Sequence, residues 1–174
     1  SAISEEALAT PKGVKAALVS AYAMLDGYAG FADGVGYSSS NWIFGSIASD
    51  DAHKGSILGD LPEILQVELF QWLPVNSLFN QKFLSLYEGI KRANSALSIL
   101  KKVPQITETE KQSIEGEARF LRAFYHFEAY KIWKNIAYYT EEDRVFTKPN
   151  NQNIPEFLVN DLKKAIELLP INQD

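Results

Sequence analysis

Gly116-Glu117-Ala118-Arg119-Phe120-Leu121-Arg122-Ala123-Phe124-Tyr125-His126-Phe127-Glu128-Ala129-Tyr130-Lys131-Ile132-Trp133 is the stretch that decides the fold. Its apolar residues do not keep to one stripe. Phe120, Leu121, Phe124, Tyr125, Phe127, Tyr130, Ile132 and Trp133 fall on every face of a helix, the pattern of a helix enclosed by others. The sequence therefore predicts a spine helix at the centre of an all-α protein.

Working outward, Thr107-Glu108-Thr109-Glu110 matches a capping box and starts the spine near Glu108. The helix runs to Trp133, where Asn135 is suited to the left-handed conformation that ends helices. Ile136 to Asn153 reads as a long polar loop. Asn153-Ile154-Pro155-Glu156 then restarts a helix with the stripe Leu158, Leu162, Ala165, Ile166 and Leu169, and Pro170 stops it. Upstream, Ser77 is placed to cap a helix whose stripe is Phe83, Tyr87, Ile90, Ala93, Asn94, Leu97 and Leu100. Thr10-Pro11 opens another over roughly 11 to 29. Glycines and serines from Gly30 to Ser40 read as loop, Asn41 to Asp51 as a short helix or turn, and Ile64 to Leu73 as a short helix or an extended piece. Periodicity by itself supports a helical bundle.

The chain has 174 residues, enough for one domain with a sizeable core. Its composition, 46% hydrophobic and 22% charged, is that of a globular protein, and no run of about 18 apolar residues could span a bilayer. A net charge of -5 argues against nucleic acid, because basic runs such as Lys101-Lys102 and Lys163-Lys164 are only two residues long. Absence of cysteine removes disulfides, thiolate nucleophiles and zinc-thiolate sites together.

Candidate chemistry is sparse. Asp50-Asp51-x-His53 has metal-ligand donor types, but three close residues read more simply as a turn. His126 has no Glu-x-x-His counterpart of the di-iron kind and reads as structural. No Gly-x-Ser-x-Gly elbow and no phosphate loop occurs, so neither an enzyme nor a cofactor is expected. Arg119, Arg122, Glu115 and Glu117 form either a solvated face or an internal ion network, with Glu115 one helical turn from Arg119. Aromatic residues beside amides are the more suggestive class, since sugar CH faces stack on aromatic planes while amides bond hydroxyls. Trp72 with Asn76 and Asn80 is the leading combination, and Trp42 with Asn41 is the second. For Trp42 core burial outweighs ligand contact.

The run GEARFLRAFYHFEAYKIW resembles the signature helix of the SusD/RagB family. Further similarity follows in order through Ala21-Tyr22-Ala23-Met24-Leu25, Trp42-Ile43-Phe44-Gly45-Ser46-Ile47-Ala48-Ser49-Asp50-Asp51, Tyr87-Glu88-Gly89-Ile90-Lys91-Arg92-Ala93-Asn94 and Asp161-Leu162-Lys163-Lys164-Ala165-Ile166-Glu167-Leu168-Leu169-Pro170. The resemblance implies a tetratricopeptide-like helical repeat array, with residues 1–174 forming a single N-terminal helical domain and the C-terminal part of the family fold absent. Ala165-x-x-x-Leu169-Pro170 echoes half of such a repeat, but the 34-residue period is missing. It also implies a non-enzymatic, lipid-anchored receptor on the extracellular face of the outer membrane, whose signal peptide and lipid-bearing cysteine precede Ser1. Such a receptor binds an oligosaccharide or other nutrient and passes it to a SusC-like TonB-dependent transporter. The other class of function is a helical-repeat scaffold, or a lipoprotein that binds peptides. Exposed apolar surface is expected around Leu162, Ile166 and Leu169.

Overall fold

The computed structural model describes residues 6–27, 42–55, 57, 59–143 and 147–171. Its elements in chain order are α1 (Pro11–Tyr22), a 3-10 turn (Ala23–Leu25), a π-helical turn (Trp42–Ile47), α2 (Pro62–Glu68), α3 (Ser77–Leu100), α4 (Glu108–Trp133) and α5 (Ile154–Leu168). Among the described residues there is no strand, and no helix is long and apolar enough to cross a membrane. The fold is all-α. Two compact units can be distinguished, Ser1–Ala23 with Leu86–Asp174, and Met24–Ser85.

In the first unit α4 packs along α5 and against α1. Thr107 Oγ1 accepts from Glu110 N and donates to the Glu110 carboxylate, so the helix begins at the capping box. Thr10 likewise accepts from Gly13 N, with Pro11 in the first helical position. Gly89 is required by close approach: a Cβ there would meet the Tyr125 ring at 2.8 Å. That ring is buried, and its hydroxyl donates to the Ala21 carbonyl at 2.6 Å, tying α4 to the end of α1.

Several local expectations are corrected. The first helix stops at Tyr22 and tightens into the 3-10 turn instead of running to residue 29. The positive-φ residue after α4 is Lys134, with φ 58° and ψ -63°, and not Asn135. The spine is not enclosed on every side, because Phe120 and Phe127, seven residues apart on one face, are exposed. The stretch after α4 is less polar than it reads, since Ile136 and Tyr138 are buried. Leu162 and Ile166 are exposed as expected, whereas Leu169 folds back so closely that a Cβ on Gly116 would lie 2.8 Å from its Cγ.

The second unit is built on Ile43, Ile47, Ile64, Val67 and Leu78, with Phe44, Ala48, Ala52 and Phe79 packed against them. The π-helical turn and α2 are its packed pair. Residues 64–73, open between helix and extended piece in the sequence, divide: helix to Glu68, then a turn. The Gly30–Ser40 loop lies outside the described residues.

Candidate ligand-binding site

Titratable groups converge in the first unit. Arg122 is buried, and its Nε and Nη2 donate to Asp161 at 2.6 and 2.7 Å while its Nη1 donates to Asn94 Oδ1 at 2.9 Å and to Glu141. Arg119 bridges Glu115 at 2.8 Å and Asp161 at 3.0 Å. Burial opposes the charges, but the pairing outweighs it. Glu141 is held down to about 2, Asp161 is lowered by its bonds to Arg122, and Arg122 is raised by Asp161 and Glu141.

His126 adjoins this network. Its Nδ1 lies 2.9 Å from the Arg122 carbonyl and must donate, so Nε2 is free to accept from Tyr139 N at 3.1 Å. Its ring stacks on Tyr138 at 3.8 Å, Tyr138 stacks on Phe157 at 5.1 Å, and the Tyr138 hydroxyl donates to Asp161. Burial drives the His126 pKa down to about 3. Apart from the His126–Arg122 and Arg119–Glu115 bonds, which stay within α4, these bonds run between elements, so the network is a clamp joining α3, α4, α5 and the 136–141 segment. Of the two readings of Arg119 and Arg122, the internal ion network is the one observed. Sequence reasoning missed Asp161, whose only signal was a carboxylate on the apolar side of the α5 stripe.

A different arrangement occupies the second unit. The rings of Phe70, Trp72, Phe79 and Phe44 follow one another at centroid distances of 5.6, 5.5 and 5.1 Å, each tilted by about 50° to the next. The turn that carries the first two is rigidly made. α2 ends with Phe70 N donating to Val67 O at 3.2 Å and Gln71 N to Gln66 O at 2.8 Å, the paired bonds of a Schellman ending. Its left-handed position, ordinarily glycine, is held by Phe70 at φ 54°. Such a conformation costs an aromatic residue about 1 kcal/mol or more. Phe70 is nonetheless 63% exposed and Trp72 40%.

The far side of the turn is fixed by carboxylate and amide. Glu63 accepts from Ser77 N at 3.0 Å and from Ser77 Oγ at 2.8 Å. Asn76 Oδ1 accepts from Leu78 N at 3.1 Å, while its Nδ2 donates to Glu63 O and Gln66 Oε1, both at 3.0 Å. The capping position of α3 is therefore taken by Asn76, not by Ser77. Asn76 is buried with both amide atoms bonded, so it positions the turn and presents no free amide outward. Gln71 and Asn80 are exposed.

Of the sequence-predicted residues, Trp72 joins the aromatic row and Asn80 follows Phe79 on α3. Trp42 is 41% exposed, which overturns its reading as core; its neighbour Ile43 fills that role. Asn41 lies outside the described residues. His53 donor chemistry is taken up by Glu68, at 2.7 Å from Nδ1, and Asp51 accepts from Ser49 Oγ at 3.0 Å. Among the described residues no group of three or more His, Cys, Asp or Glu side chains is placed to hold a metal. Phe70 and Phe79 were missed as partners of Trp72. Their signal was the uncharged run Leu69 to Gln81, in which aromatic and amide residues recur.

A SusD-like family model described as "Starch-binding associating with outer membrane" matches residues 10–174. The chain belongs to the SusD-like family. A SusD-like protein of Formosa agariphila is 32% identical over 91 residues, which are 49% of this chain and 17% of that protein. The structure of surface glycan-binding protein A from Bacteroides thetaiotaomicron in complex with laminarihexaose matches with a TM-score of 0.75 at 23% identity, covering 95% of this chain and 34% of the other. A second structure of surface glycan-binding protein A matches at 0.74 and 22%, covering 96% and 34%. This SusD-like chain thus spans about a sixth of the curated relative and a third of the solved chains, and over its own length it has their fold.

Proposed function

We propose that this SusD-like chain is part of a glycan receptor on the outer face of the outer membrane, residues 1–174 being its N-terminal helical domain, and that Trp72 is the principal sugar platform. The single observation that supports this reading best is the exposed pair Phe70 and Trp72, held on a turn whose left-handed position is filled by Phe70, with the partly buried Phe79 ring behind Trp72. Aromatic planes meet the CH faces of pyranose rings, and the amides of Gln71 and Asn80 are available to bond hydroxyls. Trp42 is a second stacking surface of the same unit, with Asn41 beside it in sequence. Asn76 acts through the turn it holds.

Binding without chemistry suits such a site, so the protein is read as a receptor and not an enzyme. Delivery of the bound oligosaccharide to a SusC-like TonB-dependent transporter, with a lipid anchor attached upstream, completes the reading; family membership supports both. The test is native affinity electrophoresis through gels containing laminarin or soluble starch, comparing wild type with Trp72→Ala. Retardation by either polysaccharide that disappears in the variant supports the reading; equal mobility of both proteins with and without polysaccharide refutes it.

A scaffold for protein or peptide partners is the second reading. It is favoured by the exposed stripe Val159, Leu162 and Ile166, which fall on one face of α5. A receptor that binds no sugar but binds peptides, and loses them on Ile166→Glu, would be of that kind.

A further inference from the structure

The chain's charge is divided unequally. Residues 24–85 hold two lysines, Lys54 and Lys82, and no arginine, against seven aspartates and glutamates, which is a balance of -5 with His53 counted neutral. The other 112 residues carry fifteen basic and fifteen acidic side chains, so the whole net charge of -5 belongs to the unit that carries the aromatic row. Both lysines are already counted in that balance. Lys82 is buried, and Lys54 directs its Nζ to the Ile57 carbonyl at 3.2 Å.

From Leu69 to Gln81 the row's own segment contains no charged residue, and the first charge before it is Glu68, two residues from Phe70. That carboxylate stays ionised, its pKa lowered by His53 and by the Lys54 backbone N–H. Recognition of a uronate or sulfate draws on a cation, most often the planar fork of arginine, aimed at the anion. Here the exposed polar groups beside the rings are the amides of Gln71 and Asn80, and the unit that carries them has a net charge of -5, which disfavours anionic ligands.

We infer that the aromatic row takes uncharged glycans and rejects uronate- or sulfate-bearing ones, a selectivity set by the charge deficit of residues 24–85. The inference rests on the proposed glycan reading and narrows it to a substrate class. A neutral chain loses little to the negative field, because stacking and amide hydrogen bonds act at contact and are not screened by salt.

The experiment is native affinity electrophoresis of the 174-residue chain through two sets of gels. One set contains laminarin, soluble starch or galactomannan; the other contains polygalacturonate, alginate or carrageenan. Each is run at low salt and at about 0.5 M, where the Debye length has shrunk to roughly 4 Å. The expected result is retardation by at least one neutral polysaccharide, changing less than about twofold with salt, lost in Trp72→Ala, and no retardation by the anionic set. Retardation by an anionic polysaccharide, weakened by salt and lost in Trp72→Ala, overturns the inference while leaving the glycan reading intact. Neutral binding that survives Trp72→Ala also overturns it, by placing the sugar elsewhere. Retardation by neither set overturns the glycan reading itself, and the inference with it.

Discussion

The two units of this chain handle their polar and strained groups in opposite ways. In the α4–α5 unit, Arg122, Asp161, Glu141, Asn94 and His126 are bonded to one another or to backbone, and the charges sum to zero. In the 24–85 unit, an aromatic residue sits in a left-handed turn with its ring in solvent, and the charges sum to -5. A satisfied network specifies a structure, whereas strain and exposed rings cost stability and persist where surrounding bonds over-determine them. The difference teaches that the signature helix of the SusD-like family and the leading candidate ring, Trp72, occupy different units, although the signature word that begins at Trp42 lies in the unit of the site. Tyr87-Glu88-Gly89-Ile90-Lys91-Arg92-Ala93-Asn94 illustrates it. Tyr87 donates to the Ala137 carbonyl, Gly89 makes room for Tyr125, Arg92 reaches the Ser20 carbonyl, and Asn94 bonds both Tyr139 and Arg122. These residues build scaffold.

The sharpest way to break the comparison is at Asp161. Asp161→Ala leaves the buried Arg122 guanidinium short of its main partner, and truncating one member of such a pair costs about 3–5 kcal/mol. Urea denaturation should show that loss in the midpoint, while Trp72→Ala, at a partly exposed ring, should cost about 1 kcal/mol. The double variant Arg122→Met/Asp161→Leu, which removes both charges, should recover much of the loss. If Trp72→Ala proves as destabilising as Asp161→Ala, the row is core and not a site.

Acid sharpens the same contrast at an intermediate size. His126 stays neutral in the fold down to about 3, whereas in the unfolded chain it protonates near its ordinary value of about 6.5. The unfolded state therefore binds more protons between these values, and stability falls as pH falls through 6.5. Between pH 7 and pH 5 the loss should reach about 2 kcal/mol. Asp161 and Glu141 add to it only at lower pH: their depressed pKa values give stability that is present above the usual carboxylate range and lost below it. Denaturation midpoints across this range should drop for wild type and stay flatter for His126→Gln. Equal slopes would mean that His126 is protonated in the folded protein.

Helix boundaries were readable because their signals are local. Thr107 and Glu110, Thr10 and Pro11, and Ile154 with Pro155 act on backbone groups within a turn of themselves, and the observed starts of α4, α1 and α5 follow them. Partners across the fold were not readable. Arg122 and Asp161 are 39 residues apart, and nothing in either neighbourhood names the other. Asn76 looked like an amide for a sugar because it stands four residues from Trp72, yet its bonds run to Glu63, Gln66 and Leu78. The row itself was half legible. Trp72 stood out by type, but its neighbours Phe70 and Phe79 are joined to it by a turn whose left-handed residue is not the glycine that would have announced it.

That turn yields the smallest effect and the most specific one. At a left-handed helix ending, glycine escapes the Cβ clash that an L-residue suffers, by about 1 kcal/mol. Phe70→Ala keeps the clash and loses the ring; Phe70→Gly loses both. If the conformation is strained, Phe70→Gly should be more stable than Phe70→Ala by about 1 kcal/mol in urea denaturation, although glycine is the more flexible residue in the unfolded chain. Both variants should weaken sugar binding alike, because both remove the ring that stands 5.6 Å from Trp72. Stability that differs between the two variants while binding declines alike in both is the mark of strain kept for a site. If Phe70→Gly is no more stable than Phe70→Ala, the turn carries no strain, and Phe70 is held outward by the helix ending alone.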